Sequence, residues 1–391
     1  MLAYVAGMVD MVALPVWIGT LMQHYRYSPA QAGITVTLFL LGVVLSSLFF
    51  APRFNRMPRR AAATAGFALA ALAFLVAAMQ PVGIEGFGML AAVHAVAGLG
   101  VGCGLSFTDG AMGRSANPHR LWAMANVALG VFAVVFLGGM PQLLMRVEAS
   151  ALFVAYAGLM ALAALAVGLA FPAVDSVDAD AQRAMQSATE AATASKIPRA
   201  AWFVIAAVVC LTLNQAMVFS FVERIGASRG FAPDQVQAVL IALGLVNLVP
   251  GVLAAVLQTK WSPIAVGMAG PIGQAVLALV MTAATGYAPY AVAASLYVFM
   301  VIFTHTFLFG LLAKLDGSGR AVAATPAMMM LGSCIGPALG GGIVQAAGYP
   351  ALGWAACCVT VLALVAMSQV GRSMRRASAR PLASAPEAKA A

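Results

Sequence analysis

The sequence predicts an all-α membrane protein of twelve transmembrane helices, arranged as two six-helix bundles with pseudo-two-fold symmetry. Three observations carry this. Of the 391 residues, 63% are hydrophobic and only 8% charged, where a soluble domain carries about 25% charged residues. Apolar stretches of roughly 20 residues recur from end to end, each long enough to cross a ~30 Å hydrocarbon layer. The one long polar stretch between them divides the spans six and six.

In chain order the spans fall at approximately 2–22, 30–51, 61–80, 86–112, 119–143 and 150–172, then 199–223, 233–257, 262–285, 288–312, 320–346 and 349–371. This gives a first bundle at 1–172, a cytoplasmic linker at 173–198 and a second bundle at 199–371. The tail at 372–391 is basic and rich in Ala, Ser and Pro, a composition that predicts disorder. The first span lacks a basic leader and is followed by another span, unlike a cleaved signal peptide. It begins beside Met1, which leaves room for a start further upstream.

The two halves echo each other. "YSPAQ" at 27–31 opens span two, and "FAPDQ" at 231–235 opens span eight, 204 residues on. Ser28 is placed to cap its helix and Pro29 suits the first turn. Glycine clusters at 138–139 and 340–342 lie near the ends of spans five and eleven. The pattern reads as an internal duplication.

Charge sets the orientation. With the N-terminus inside, only Arg26, Arg146, Arg224 and Arg229 of the 21 Lys and Arg fall on the far side. That asymmetry places both termini in the cytoplasm. It explains the net charge of +9 without nucleic acid as a partner. It also leaves no Lys or Arg for the middle of the membrane. The five cysteines lie in apolar segments without metal-ligand spacing and read as small hydrophobes. No metal site and no cofactor is expected.

The loop after span two reads "APRFNRMPRR" at 51–60. With twelve spans split six and six, it resembles the major facilitator superfamily, whose loop there runs roughly G-x-L-A-D-R-x-G-R-R. Arg56, Arg59 and Arg60 match its basic positions, while Ala51, Asn55 and Pro58 depart from it. Asn55 stands where the family carries an aspartate, so the usual ion-pair latch is altered, and Asp109 with Arg114 is the candidate substitute. A second family signature, G-x-x-x-G-P-x-x-G-G, typical of span five in drug–proton antiporters, occurs as "GSCIGPALGG" at 332–341, in span eleven. Its Gly336, Pro337, Gly340 and Gly341 permit close helix approach and a kink. The resemblance implies two bundles face to face, a central cavity lined by spans one, four, seven and ten, and access from alternate sides.

Within that frame Asp10 draws attention. It lies eight residues past Leu2, about 12 Å along a helix at 1.5 Å per residue. A carboxylate there is costly unless it works, as a proton carrier, a cation contact, or both in competition. Its plainer role is a hydrogen bond to a neighbouring helix. His94 and His305, on spans four and ten, either relay protons or bond between helices as neutral imidazoles. Adjacent Asn214 and Gln215 cannot share a face, so one meets substrate and the other ties helices. Tyr290, Tyr297 and Thr304 form one stripe on span ten, a cavity wall or ordinary packing. Trp17, on the face of Asp10, is placed to stack a cationic or aromatic substrate. Gly98 and Gly102, interleaved with Gly100 and Gly104, read as packing positions.

No P-loop motif is present, which argues against ATP as the energy source. No nucleophile–base pairing suggests an enzyme. One interior carboxylate without an interior Lys or Arg favours cationic or neutral substrates over organic anions. The expectation is a monomeric, proton-coupled transporter of an inner membrane that exports a small organic compound. Uptake by proton symport is the runner-up, and a non-transporting receptor or assembly partner is the rival of another class.

Overall fold

A computed structural model describes residues 1–54, 56–115, 117–171, 197–316, 321 and 325–378. Among these every regular element is helical, and eleven helical segments are long and apolar enough to cross a membrane. The first half holds span two at Pro29–Phe50, three at Arg59–Ala78, four at Phe87–Gly113, five at Pro118–Arg146 and six at Ala151–Ala170. The second holds spans nine to twelve at Pro263–Ala283, Tyr287–Leu315, Thr325–Ala347 and Pro350–Ser378. The chain is a multi-pass membrane protein.

Three spans that the sequence presents as continuous are broken. Span one divides into Leu2–Gly7 and Val9–Gln23, span seven into Arg199–Phe219 and Val222–Ser228, and span eight into Pro233–Val246 and Pro250–Leu257. Each break has a local cause. At span one, glycine weakens the helix, and a Cβ on Gly7 would strike Leu105 of span four. At span seven the Ser220 hydroxyl donates to the Ala216 carbonyl at 2.6 Å, competing with the backbone bond. At span eight Pro250 has no N–H to continue the ladder. The last helix runs to Ser378, past the expected tail boundary at 372; Arg372, Ser373, Met374 and Arg375 include neither glycine nor proline to stop it. The linker through 196 and the tail from 379 lie outside the described residues.

The duplication is visible in the backbone. Ser28 accepts from the Gln31 N–H at 3.2 Å, and the Gln31 side chain accepts from the Ser28 N–H at 3.0 Å, a complete capping box. At span eight Gln235 accepts from the Ala232 N–H at 3.1 Å, but alanine has no acceptor to return. Just before each motif the chain turns through a left-handed residue: Arg26 at φ 56° and Gly230 at φ 79°.

Tight contacts between the halves run from the end where spans two and eight begin into the middle of the protein, as far as Gly130 against Leu248. There span two packs along span eleven, and span eight along span five. A Cβ on Gly33 would collide with the Pro337 carbonyl, and one on Gly341 with that of Pro29. Gln237 of span eight donates to the Gly138 carbonyl of span five. The Thr37 hydroxyl donates to the Cys334 carbonyl at 2.8 Å and accepts from the Ala338 N–H at 3.1 Å. Those two groups are partners in an ordinary helical ladder, so Thr37 inserts into span eleven beside Pro337, a known way to bend a helix.

Replacing Thr37 by Val, nearly the same shape, removes both bonds across the seal. The expected cost to the sealed conformation is about 1–3 kcal/mol. Spin labels on the outer turns of spans two and eleven should report wider separations in Thr37→Val than in wild type; unchanged distances would show that the glycine contacts suffice.

Candidate functional site

The break in span one shapes the candidate site. Met8 leaves the helix at φ −104°, ψ 20°, and a new helix starts at Val9. Asp10 therefore sits in a first turn, where backbone N–H groups lack intrahelical acceptors and the dipole favours negative charge. The N–H groups of Asp10 and Met11 face its carboxylate. The side chain is 2% exposed, and Oδ1 has no hydrogen-bond partner. The Tyr156 hydroxyl on span six is also buried without a partner, and it lies within electrostatic reach of Asp10. Tyr4 stands between two acids, in reach of both Asp109 and Asp10, and its hydroxyl makes a long 3.4 Å contact with Asn126.

Trp17 and His94 have other work. The Trp17 Nε1–H donates to His94 Nε2 at 3.2 Å, and His94 Nδ1 lies 2.7 Å from the Leu90 carbonyl. The network assigns the neutral Nδ1–H tautomer, with both nitrogens occupied. A second ring proton would set two donors face to face. Trp17 is fully buried against Phe39, Phe74, His94 and Tyr156, all of the first half. The structure thus packs it inside the first bundle, away from the cavity wall expected for it.

The second half behaves alike. Asn214 is the helix tie, its amide donating to the Ala356 carbonyl at 3.1 Å and to Thr360 at 3.2 Å on span twelve. Gln215 takes the other face, half-buried. The Tyr297 hydroxyl donates to the Asn214 carbonyl at 2.7 Å and lies 3.4 Å from the Gln274 amide. Thr304 donates to the Met300 carbonyl of its own helix at 2.7 Å and rests on Gly270 of span nine. The span-ten stripe is thus packing between helices. His305 stands apart from it, half-buried, with Nδ1 unpartnered and its ring 4.9 Å from that of Phe309.

The basic loop is organised by an aromatic ring. Phe54 lies against Gly110, where a Cβ would overlap it. The Arg59 and Arg114 guanidiniums stand 4.8 and 4.3 Å from its centroid, contacts worth about 0.5–1 kcal/mol each at an exposed site. Arg114 therefore meets Phe54, while Asp109 lies within electrostatic reach of Tyr4 with Oδ1 unpartnered. Arg60 donates to the Gly168 carbonyl, and Arg56 is exposed. Asn55 lies outside the described residues.

The glycines divide their labour. Gly98 and Gly102 admit span two, and Gly100 and Gly104 admit span three. Gly336 and Gly340 admit span seven, while Gly341 and the Pro337 carbonyl meet span two. Among the described residues no three His, Cys, Asp or Glu side chains gather as a metal site. Sequence reading missed Tyr4, Tyr156, Thr37 and Phe54. Only Tyr4, an aromatic hydroxyl one and a half turns before Asp10, left a signal in the local sequence.

The Major Facilitator Superfamily model matches residues 1–315. Two solved structures share the fold. One is a D-xylose-proton symporter, with TM-score 0.67 at 16% identity over 94% of this chain and 95% of that one. The other is the inward-open conformation of the xylose transporter XylE from E. coli, with TM-score 0.69 at 14% identity over 94% of each chain. Among curated protein sequences none matches this one.

Trp17→Phe keeps the ring but withdraws the donor from buried His94. Thermal unfolding in detergent should show a loss of about 1–3 kcal/mol. Any transport activity should keep its wild-type pH profile, because His94 serves as a fixed acceptor. A displaced pH profile would instead make His94 a titrating group.

Proposed function

The chain belongs to the major facilitator superfamily, and from that premise we propose that it is a proton-coupled exporter of small cationic or neutral organic compounds. It is a membrane transporter and not an enzyme. Asp10 carries the finer reading: a buried carboxyl at a helix break, one oxygen unpartnered, with no Lys or Arg in the span interiors to neutralise it. Such a group holds either a proton or a cationic ligand, and exchange of one for the other couples the two flows. Tyr4 links Asp109, near the basic loop, to Asp10, a short relay from one end of the first bundle to its middle.

The seal is compatible with export. Basic residues are few at the end where spans two and eight begin and many at the other, so by the positive-inside rule the sealed end is the outer one. An exporter loads from the cytoplasm. Rocking of the halves parts the Thr37–Pro337 contact and exposes the site to the far side, where a proton entering Asp10 releases the substrate. Uptake by proton symport is the second reading, favoured by the symporter among the structural relatives.

The test is proton flux in proteoliposomes with a trapped pH dye, challenged with lipophilic cations, sugars, amino acids and organic acids. A cation or neutral compound should trigger flux that falls at least tenfold in Asp10→Asn, about 1.4 kcal/mol or more. Equal flux in both proteins would remove Asp10 from the coupling step and move attention to Asp109 and His305.

A further inference from the structure

The two halves differ where the duplication should make them alike. Span eleven packs closely along span seven, through Gly332, Gly336 and Gly340. Span five carries Phe132, Phe136 and Met140 at the same four-residue spacing. It makes far looser contact with span one and touches span six sparsely. Between spans five and six this leaves a cleft of about 310 Å³, walled by Phe132, Phe136, Met140, Leu143, Leu159 and Tyr156. That volume is at the lower end of small-molecule sites, about 300–1,000 Å³.

The cleft lies within the spanning segments, so its mouth meets hydrocarbon. Its walls are almost wholly apolar, and Val135 and Leu143 at its edge are exposed. Its inner wall is different. The Tyr156 ring lies nearly parallel to that of Phe136, 6.0 Å between centroids at 17°. Its hydroxyl is buried, unpartnered and in the field of Asp10. The Tyr156 ring thus walls the cleft while its hydroxyl lies within electrostatic reach of the Asp10 carboxyl, whose Oδ1 has no partner.

We propose that the cleft between spans five and six is a lateral binding site for the alkyl tail of a cationic amphiphile drawn from the bilayer, with Tyr156 guiding its head toward Asp10. Apolar walls suit the tail, the Tyr156 hydroxyl offers the head a polar contact, and Asp10 supplies the opposite charge. The cationic head rests on the function proposed above; the tail site does not.

Gly139 provides the test. It lines the cleft, and a Cβ there would meet nothing within 4 Å. Gly139→Phe should therefore fill the space without moving the backbone. Binding of butyl- and decyltrimethylammonium is measured at equilibrium, without a proton gradient, on protein in lipid nanodiscs, with partition into empty discs subtracted. Wild type should bind the decyl compound at least tenfold more tightly than the butyl compound. Gly139→Phe should abolish that ratio and leave butyl binding unchanged, which also shows the variant is folded; Leu143→Trp at the mouth should reduce the ratio in the same direction. Asp10→Asn should weaken both compounds and preserve the ratio. A ratio untouched by Gly139→Phe, or a wild type without a decyl advantage, would overturn the site. In the second case, phospholipid retained by wild type and lost from Gly139→Phe in native mass spectra would identify a resident lipid as the occupant. A preserved ratio alongside failed proton flux would sink the transport mechanism and leave the tail site standing.

Discussion

A carboxyl group placed in hydrocarbon must be held by something, and span one holds Asp10 by breaking. Inside a membrane the helix satisfies its own backbone, so an intact span has nothing to offer an anion. Interrupting the helix at Met8 starts a new helix whose dipole, and the N–H groups of Asp10 and Met11, face the side chain. The Met11 N–H also bonds the Met8 carbonyl at 3.1 Å. The interruption is tolerated because Gly7 lets span four press against it. The rest of the site follows: Tyr4 lies on the short segment before the break, and Tyr156 comes near from span six. The carboxyl remains partly unsatisfied, the state in which exchange of a proton for a ligand costs least reorganisation.

Most other buried polar groups are tied off. Trp17 bonds His94 across spans one and four, and Asn214 joins span seven to span twelve while its carbonyl receives Tyr297. Leaving such groups unpaired in an apolar interior costs a few kcal/mol each. Paired, they lock helices within a half. Few comparable bonds cross between halves, and those at Thr37 and Gln237 gather at the sealed end. Firm bonding within each half and localised bonding between them is what relative rocking requires.

The pattern of residues revealed the span count, the six-and-six division, the Ser28 cap and the glycine pairs of span four, because each is written locally. The direction each glycine faces was not legible, since 98/102 and 100/104 differ only by which neighbour the bundle brings. The breaks were missed for a related reason: Gly7, Ser220 and Pro250 also occur in unbroken helices, and tertiary contact decides. Trp17 shows the limit best. Its seven-residue spacing from Asp10 suggested a shared cavity face, but a helix with a break between Gly7 and Val9 still lets Trp17 turn inward to an acceptor 77 positions away. Phe54 was overlooked because the basic loop was read for charge, and its arginines settle on an aromatic ring.

The duplication gives Asp10 a neutral counterpart. Under the 204-residue offset that relates "YSPAQ" to "FAPDQ", Asp10 corresponds to Asn214 and Trp17 to Phe221. Asn214 is the neutral counterpart, spending its amide on span twelve. The equivalent depth in the two halves is therefore occupied by one group able to change charge and one that cannot. Two acids facing each other across a dry interface would repel or share a proton. Asp10 can change charge where its counterpart Asn214 cannot, while a carboxylate of the second half, Glu223 on span seven, lies against Gly19 of span one. The second half supplies a rigid wall, built on the Gly332–Gly336–Gly340 ladder against span seven. The first half, where span five packs more loosely on span one and leaves the cleft beside span six, supplies the compliance. In this chain the duplicated fold has separated the two duties that a symmetric ancestor would have shared.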